Sequence, residues 1–285
     1  MVRQRVLVSP FLGSNPSGPV FINLLVNLQR LILFDFDGVI IDGINEYWYS
    51  SLMVCKIYLN SKLIPADLNI NMRVSNTFKE IRPWVKYGWE MILITHEIVK
   101  DNKPLNDSSK SDFLKNYQKS CQDLLAKNSW EIRNLQKWLD KVRELQISSD
   151  YDKWIKLHKP FSQVISFIKK LQEDGYKIGI ISTKNKVFTS KILRRFNIHP
   201  ELVFGYEEGK KVDIISNLVE EYEIKGFIED RRKTLLNLKE NKKTSTVKCF
   251  LADWGYLKDT DRLNLKKDII LLKLKDLRNL LANLN

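Results

Sequence analysis

The stretch that decides the fold spans residues 31–39 and reads Leu31-Ile32-Leu33-Phe34-Asp35-Phe36-Asp37-Gly38-Val39. Four consecutive apolar residues that end in an aspartate predict a short buried strand. The last residues of such a strand project their carboxylates at the edge of the sheet. We therefore expect chemistry at the carboxyl end of this strand.

Downstream of this strand the pattern alternates between strands and helices. Pro160 is expected to open a helix that Gly175 ends, because proline suits the first turn of a helix and glycine its end. The predicted strands cover residues 177–181, 202–204, 226–229, 247–252 and 269–274, and the predicted helices between them lie around residues 187–196, 212–221 and 231–240. This alternation implies an α/β fold with a parallel sheet that helices cover on both faces.

Between the first strand and the rest, the apolar residues recur with a helical period. The pattern is clearest where Ile132, Leu135, Leu139 and Val142 follow one another at three- and four-residue steps. We expect a discontinuous core domain with an all-helical domain inserted into it. The predicted division is a core of residues 31–44 and 160–285, a helical insertion of residues 45–159 with an exposed polar loop at 101–112, and an N-terminal extension of residues 1–30.

Composition excludes several classes of protein. The 285 residues are 44% hydrophobic and carry a formal charge of +13, which excludes a disordered or fibrous chain. The basic residues are scattered, so nucleic acid is not expected as the main partner. The positive charge is instead expected to attract small anions. No apolar run is long enough for a membrane span. Three widely spaced cysteines favour a reducing, cytoplasmic location, whereas the acid-free residues 1–34 fit either a tail or a short targeting segment.

Polar side chains follow several of the predicted strands at the points where they end. In open parallel sheets ligands bind beyond the carboxyl ends of the strands, so these residues are expected to line one pocket. They are Asp35 and Asp37 after the first strand, Ser182 and Thr183 after the second, Glu229 and Asp230 after a later one, and Lys211 where a helix begins.

This mixture of residues suits phosphoryl transfer through an aspartyl phosphate. A carboxylate can attack a phosphate only if other groups screen the repulsion between them, and a divalent cation and a lysine can do so. Mg²⁺ prefers hard oxygen ligands, which Asp35, Asp230 and Glu229 could supply. Asp37 could protonate the leaving oxygen and then accept a proton from water. Lys211 and Ser182 are candidates for holding the phosphate.

The motifs resemble, in the same order, those of the haloacid dehalogenase-like hydrolase superfamily. They are residues 34–39, 178–184, 209–211 and 227–231. The resemblance implies a Rossmann-like core in which Asp35 is the nucleophile and Asp37 the general acid and base. It also implies that Ser182 and Lys211 bind phosphate and that Asp35, Asp230 and the Asp37 carbonyl hold Mg²⁺. The insertion falls where enzymes similar to phosphoglycolate phosphatase carry a helical cap.

Three positions leave alternatives open. Thr183 could replace Ser182, and Lys210 could replace Lys211. The superfamily often has a second acid four residues after the metal-binding aspartate, and this chain has Thr234 there, so Glu229 could serve as a metal ligand instead or could pair with a neighbouring arginine. Residues 227–231 together with 251–256 further resemble an uncharacterised group of superfamily members found in cyanobacteria and related plastids.

The expected function is hydrolysis of the phosphate monoester of a small soluble metabolite, with Mg²⁺ as cofactor. One alternative is a weakly active or inactive relative that binds or regulates, and another is a phosphatase that acts on nucleic-acid ends. Within the insertion, residues 82–84 (Arg-Pro-Trp) are candidates for substrate contacts, although tryptophan in a helical block more often belongs to the core.

Overall fold

The computed structural model describes residues 28–59, 73–100, 102 and 104–282. Most of the predicted N-terminal extension therefore lies outside the described residues. The strands are β1 (Gln29–Phe34), β2 (Ile41–Asp42), β3 (Lys159–Pro160), β4 (Lys177–Ile181), β5 (Leu202–Phe204), β6 (Tyr222–Glu229), β7 (Cys249–Ala252) and β8 (Ile269–Leu272). The helices are α1 (Ile44–Ile57), α2 (Asn76–Ile81), α3 (Gly88–Val99), α4 (Lys110–Lys115), α5 (Tyr117–Asn128), α6 (Ile132–Ser149), α7 (Tyr151–Lys156), α8 (Ser162–Glu173), α9 (Lys186–Arg195), α10 (Lys211–Glu221), α11 (Arg232–Glu240) and α12 (Leu277–Ala282).

Six strands form one parallel sheet in the order β5-β4-β1-β6-β7-β8. β1 lies near its centre, and Phe34 is in register with Ile180 of β4 and with Ile228 of β6. Helices pack on both faces, as the unbroken apolar runs of the strands require. The predicted α/β fold class is confirmed.

The side chains of β1 show why this strand organises the core. Ile32 and Phe34 point to one face and belong to the hydrophobic cluster that includes α8. Leu31 and Leu33 point to the other face and pack with residues of α10 and α11. All four are buried. A central strand of a parallel sheet is therefore apolar at every position, because alternate residues face different helical layers.

Helices α1 to α7 occupy the chain between β2 and β3, and we call residues 43–158 the inserted helical segment. It has its own apolar core, which includes Leu52, Ile92 and Leu139. β2 and β3 pair in antiparallel fashion, with Asp42 opposite Lys159. The chain thus leaves and rejoins the α/β core at adjacent points. The helical character of this region agrees with the sequence pattern, and the division into domains stays a prediction.

Several predicted elements differ from the observed ones. Pro160 does not open a helix: it lies in the two-residue strand β3, and α8 begins at Ser162. A proline is tolerated there because such a short edge strand does not need its missing N–H. Ile132 was expected in the buried face of α6 but is exposed, whereas Leu135, Leu139 and Val142 are buried as predicted.

The remaining differences concern the ends of elements. β6 begins four residues before the predicted residue 226, and β7 and β8 are each two residues shorter than predicted. Helix α4 begins at Lys110, inside the polar stretch that was expected to be a loop. The predicted end of α8 is confirmed, since Gly175 follows it with a positive φ of 80°.

Two expectations concern the whole chain. In the part that the structure describes, no helix combines the length and the hydrophobicity that crossing a membrane would require. The cysteines Cys55, Cys121 and Cys249 are buried and unpaired.

Candidate active site

Three carboxylates meet at the carboxyl edge of the sheet because β1 and β6 are neighbours. The Asp35 N–H donates to the carbonyl of Ile228 at 2.8 Å, which keeps the two strand ends together. Oxygens of Asp35, Glu229 and Asp230 lie within 4.8 Å of one another, and all three residues are buried. The structure therefore brings together acids that are about 195 residues apart in the sequence.

Close backbone approach fixes the position of Asp230. The N–H of Tyr256 donates to its Oδ2 at 2.9 Å. Gly38, with a φ of 93°, lies so near that a Cβ there would come within 2.0 Å of the same oxygen. Only glycine leaves room for this carboxylate and adopts that backbone conformation without strain.

Lys211 joins two of the three acids. It is the first residue of α10, and its Nζ donates to Asp35 Oδ1 at 2.5 Å and to Glu229 Oε2 at 2.7 Å. Lys210 lines the same cavity but is exposed and makes no ion pair with these acids in the described part of the chain. Of the two candidate lysines, the structure thus places Lys211 at the carboxylates.

The contacts of Glu229 concern its two predicted partners, a metal ion and a neighbouring arginine. Its side chain accepts from Lys211 and from the main-chain N–H of Arg231, at 3.1 Å. The guanidinium of Arg231 instead donates to the carbonyl of Val85, and that of Arg232 donates to main-chain carbonyls of residues 260–264. Glu229 therefore faces the cluster rather than an arginine side chain.

Burial and crowding of like charges change the acidities in this cluster. Burial, with repulsion from Glu229, raises the pKa of Asp35 to about 7, although Lys211 opposes the change. Burial raises the pKa of Asp230 to about 6, and repulsion from Asp35 acts in the same direction. Burial alone would lower the pKa of Lys211, but the two carboxylates raise it, so this lysine stays protonated.

The chemistry of the cluster fits a divalent cation. Three buried carboxylates with one lysine leave an excess of negative charge that water cannot screen. Hard oxygen donors at such spacing are the ligands that Mg²⁺ prefers. Asp35 and Asp230, with Glu229 as a further donor, are the residues that could hold it.

Asp37 lies on the side of the site that faces the inserted helical segment. The hydroxyl of Tyr47 donates to its Oδ2 at 3.3 Å. Its Oδ1 has no hydrogen-bond partner, and the nearest cation is Lys184, at 3.7 Å from that oxygen. The acid and base role of Asp37 stays a prediction.

Beneath Asp37 lies a buried charge cluster that the sequence did not indicate. The Lys184 Nζ donates to Glu46 Oε2 at 2.8 Å, and Arg143 grips the same carboxylate through Nε at 2.7 Å and Nη2 at 3.0 Å. Burial would raise the pKa of Glu46, but Arg143 and Lys184 hold it well below its ordinary value. Lys184 thereby links α1 and α6 to the strand end at Asp37. The one sequence feature that could have drawn attention to Lys184 is its position directly after Ser182 and Thr183.

Ser182 and Thr183 both line the cavity. The Ser182 Oγ accepts from the main-chain N–H of Lys184 at 2.9 Å, which leaves its own O–H available to donate. Thr183 is half-buried one residue further on. The geometry brings both hydroxyl residues to the site, and the choice between them stays open.

The cavity in front of the carboxylates has a volume of about 350 Å³. Core residues form its floor, including Thr234 at the position of the missing acid. Arg82, Val85, Lys86 and Tyr87 of the inserted helical segment form part of its wall. A small ligand at the strand ends would therefore contact both parts of the chain.

The fold and the site together define a class of enzyme: a hydrolase with a parallel α/β core, an acidic cluster at its carboxyl edge and a helical insertion that covers it. A family model described as haloacid dehalogenase-like hydrolase matches residues 29–231, and the chain belongs to this family. A search of curated proteins finds no match.

Solved structures share this fold at low sequence identity. A predicted phosphoglycolate phosphatase from Haemophilus somnus is 12% identical, with a TM-score of 0.56 over 90% of this chain and 99% of that one. A predicted phosphatase from Clostridium acetobutylicum is 15% identical, with a TM-score of 0.53 over 90% of this chain and all of the other. A haloacid dehalogenase-like family protein from Streptococcus pneumoniae is 19% identical, with a TM-score of 0.51 over 90% and 99% of the two chains.

Proposed function

We propose that the protein is a Mg²⁺-dependent phosphatase that hydrolyses the phosphate monoester of a small metabolite. The observation that carries the proposal is the convergence of Asp35, Glu229, Asp230 and Lys211 in one cavity. Several of its structural neighbours are described as predicted phosphatases, which supports the reaction type. The cavity volume favours a small substrate, since it lies at the lower end of the range for ligand sites.

In the first step a carboxylate oxygen of Asp35 attacks the phosphorus. The bond from phosphorus to the ester oxygen breaks, and Asp37 gives its proton to that leaving oxygen. Lys211 and the Ser182 hydroxyl hold the phosphate oxygens during the transfer. When bound at Asp35 and Asp230, Mg²⁺ would neutralise charge on the phosphate and so reduce its repulsion from the nucleophile.

The second step releases phosphate. Asp37, now a carboxylate, takes a proton from a water molecule, and the oxygen of that water attacks the phosphorus. The bond between phosphorus and Asp35 breaks, which restores both aspartates. The inserted helical segment acts as a cap that limits access of water to the aspartyl phosphate.

Asp35→Asn tests the proposal with an aryl phosphate as substrate. The amide is a poor nucleophile, so we expect Mg²⁺-dependent phosphate release to fall below detection while circular dichroism shows an intact fold. Asp123→Asn, at an exposed position of α5, is the matched control and should keep wild-type turnover. Turnover that survives in Asp35→Asn would reject the assignment.

The same assays separate the alternatives. A wild-type protein that binds Mg²⁺ but releases no phosphate from any phosphorylated metabolite would be a binding or regulatory relative. Salt-sensitive binding of oligonucleotides with phosphorylated ends would favour action on nucleic acid.

A further inference from the structure

Arg82 is a buried cation with unused hydrogen-bond donors in the wall of the cavity. It begins the short turn Arg82–Trp84 between α2 and α3 and is about nine-tenths buried. A guanidinium has five N–H donors. In the part of the chain that the structure describes, the acceptor for these donors is the Val85 carbonyl, 3.4 Å from Nη1, and Nε has no partner.

The position of this guanidinium is fixed by an aromatic ring rather than by an ion pair. It lies 3.9 Å from the centre of the Tyr256 ring, and the hydroxyl of Tyr256 donates to Asp42 at 2.6 Å. Asp230 and Asp37 are near enough to contribute to its charged state, but no ion pair within 4.0 Å joins Arg82 to a carboxylate of the described residues. Nε is closed off from the cavity, so the terminal Nη groups of this cavity-lining residue are the donors that a ligand could use.

The charges around the cavity leave room for one more anion. Among the described residues that line it are four carboxylates, which are Asp35, Asp37, Glu229 and Asp230, and five cations, which are Arg82, Lys86, Lys210, Lys211 and Arg231. A divalent metal ion and a phosphate dianion would cancel each other. In the proposed first step Asp37 carries a proton when the substrate binds, so the filled site would keep two excess positive charges, and a carboxylate on the ligand would offset one of them.

We propose that Arg82, with Lys86 beside it, binds a carboxylate on the leaving group, so that the substrate is a phosphorylated organic acid. This inference rests on the proposed phosphatase function and adds the class of substrate. The insertion would supply the selectivity, while the strand ends supply the chemistry. Hydrogen bonds to charged groups contribute about 1.5–3 kcal/mol, which corresponds to a preference of roughly tenfold or more.

The test compares two ligands that differ in one group, 3-phosphoglycerate and glycerol 3-phosphate. The first has a carboxylate where the second has a CH₂OH group. Binding is measured by calorimetry with Mg²⁺ in the Asp35→Asn protein, which should not hydrolyse either ligand. We expect 3-phosphoglycerate to bind at least about tenfold more tightly, because only it can use the free donors of Arg82.

Variants in the same background assign this preference to residues. Arg82→Gln should lower the ratio of the two dissociation constants towards one, and Arg82→Lys, which keeps the charge, should retain part of it. Lys86→Gln should lower the ratio less, and its exposed position keeps the test valid if the Arg82 variants do not fold. Lys127→Gln removes an exposed charge from α5, outside the cavity, and should leave the ratio unchanged.

Equal affinities for the two ligands, no binding of either, or a preference that survives in Arg82→Gln would overturn the inference. The aryl phosphate assay keeps this failure distinct from failure of the proposed function. If the protein hydrolyses the aryl ester but binds 3-phosphoglycerate and glycerol 3-phosphate equally well, the phosphatase function is supported and the carboxylate site is rejected. If the protein prefers 3-phosphoglycerate but hydrolyses no aryl ester, the carboxylate site is supported and the phosphatase function is rejected.

Discussion

Lys211 and Gly38 show how single residues shape the site in different ways. Lys211 brings charge, because its ammonium group lies between Asp35 and Glu229 and lets both acids stay close together. Gly38 brings space, because the missing side chain lets the Asp230 carboxylate approach the main chain after β1. The motif Asp-x-Asp-Gly therefore has a structural reason for its glycine as well as a chemical reason for its acids.

We expect Gly38→Ala to weaken metal binding and stability together. Its Cβ would lie 2.0 Å from Asp230 Oδ2, so that carboxylate must move, and the positive φ adds strain of roughly 1–2 kcal/mol. Gly175→Ala is the control, since Gly175 at the end of α8 also has a positive φ but lies outside the cavity, with its nearest atom 3.7 Å from a Cβ. Calorimetry with Mg²⁺ and denaturant unfolding measure the two effects. Equal loss of Mg²⁺ affinity in both variants would contradict the role of Gly38.

At the scale of elements, the cluster around Glu46 ties three parts of the fold together. Glu46 belongs to α1, Arg143 to α6, and Lys184 follows β4. All three side chains are almost fully buried, so each charge depends on its partners for stabilisation. The cluster fixes the first helix of the insertion against the strand end that carries Ser182.

His158, just after α7, makes this cluster sensitive to acid. Burial lowers the pKa of its ring to about 3, and Lys184 acts in the same direction. The groups that face the ring are Lys184, Arg143 and Glu46, whose Oε2 lies 3.9 Å from Nε2, and the Trp154 carbonyl lies 3.1 Å from Nδ1. Between the folded pKa and the ordinary value of about 6.5, the unfolded chain binds a proton that the folded protein does not.

We therefore expect His158 to reduce stability as the pH falls below about 6.5. Relative to His158→Gln, the wild-type free energy of unfolding should fall by about 1.4 kcal/mol for each pH unit between about 6 and 4. Urea unfolding at several pH values measures this difference. A difference between wild type and His158→Gln that is constant with pH would contradict the prediction.

The sequence predicts the strand ends well, because that signal is local. Asp35 follows four apolar residues, and Glu229 and Asp230 follow Phe227 and Ile228 of β6, so the parallel sheet alone brings these acids to one edge. The Glu46 cluster has no comparable signal. Glu46 and Lys184 are 138 residues apart, and neither lies in a periodic pattern that predicts burial. The prediction that Ile132 is buried is wrong for the opposite reason: the helical period extends into the first turn of α6, where Ile132 is exposed among the residues that the structure describes.

At the scale of the whole molecule, the two parts of the chain meet across one cavity. Tyr206 of the core donates to Asp140 of α6 at 2.7 Å, and Arg231 donates to the carbonyl of Val85. These contacts, with the paired strands β2 and β3, place the inserted helical segment over the strand ends. A ligand that fills the cavity therefore links both parts and should stabilise the fold as a whole.

Mg²⁺ should raise the thermal stability of the wild-type protein. A ligand that binds only the folded state at about a hundred times its dissociation constant adds about 2.7 kcal/mol. Asp230→Asn removes one proposed metal ligand and should abolish most of this shift, whereas Asp123→Asn should keep it. Differential scanning calorimetry in Mg²⁺ and in chelator provides the comparison. The same Mg²⁺ shift in Asp230→Asn as in the wild type would exclude Asp230 from the metal site.

The central place of β1 in the sheet has a consequence for how the protein is made. Phe34 pairs with Ile180, 146 residues later, and with Ile228 still later. At about 5–20 residues per second, a ribosome needs roughly 7–30 s to produce the first of these partners. During that interval the apolar strand segment β1 has no other strand of the sheet to pair with. The sheet can therefore form around β1 only after most of the chain has been synthesised.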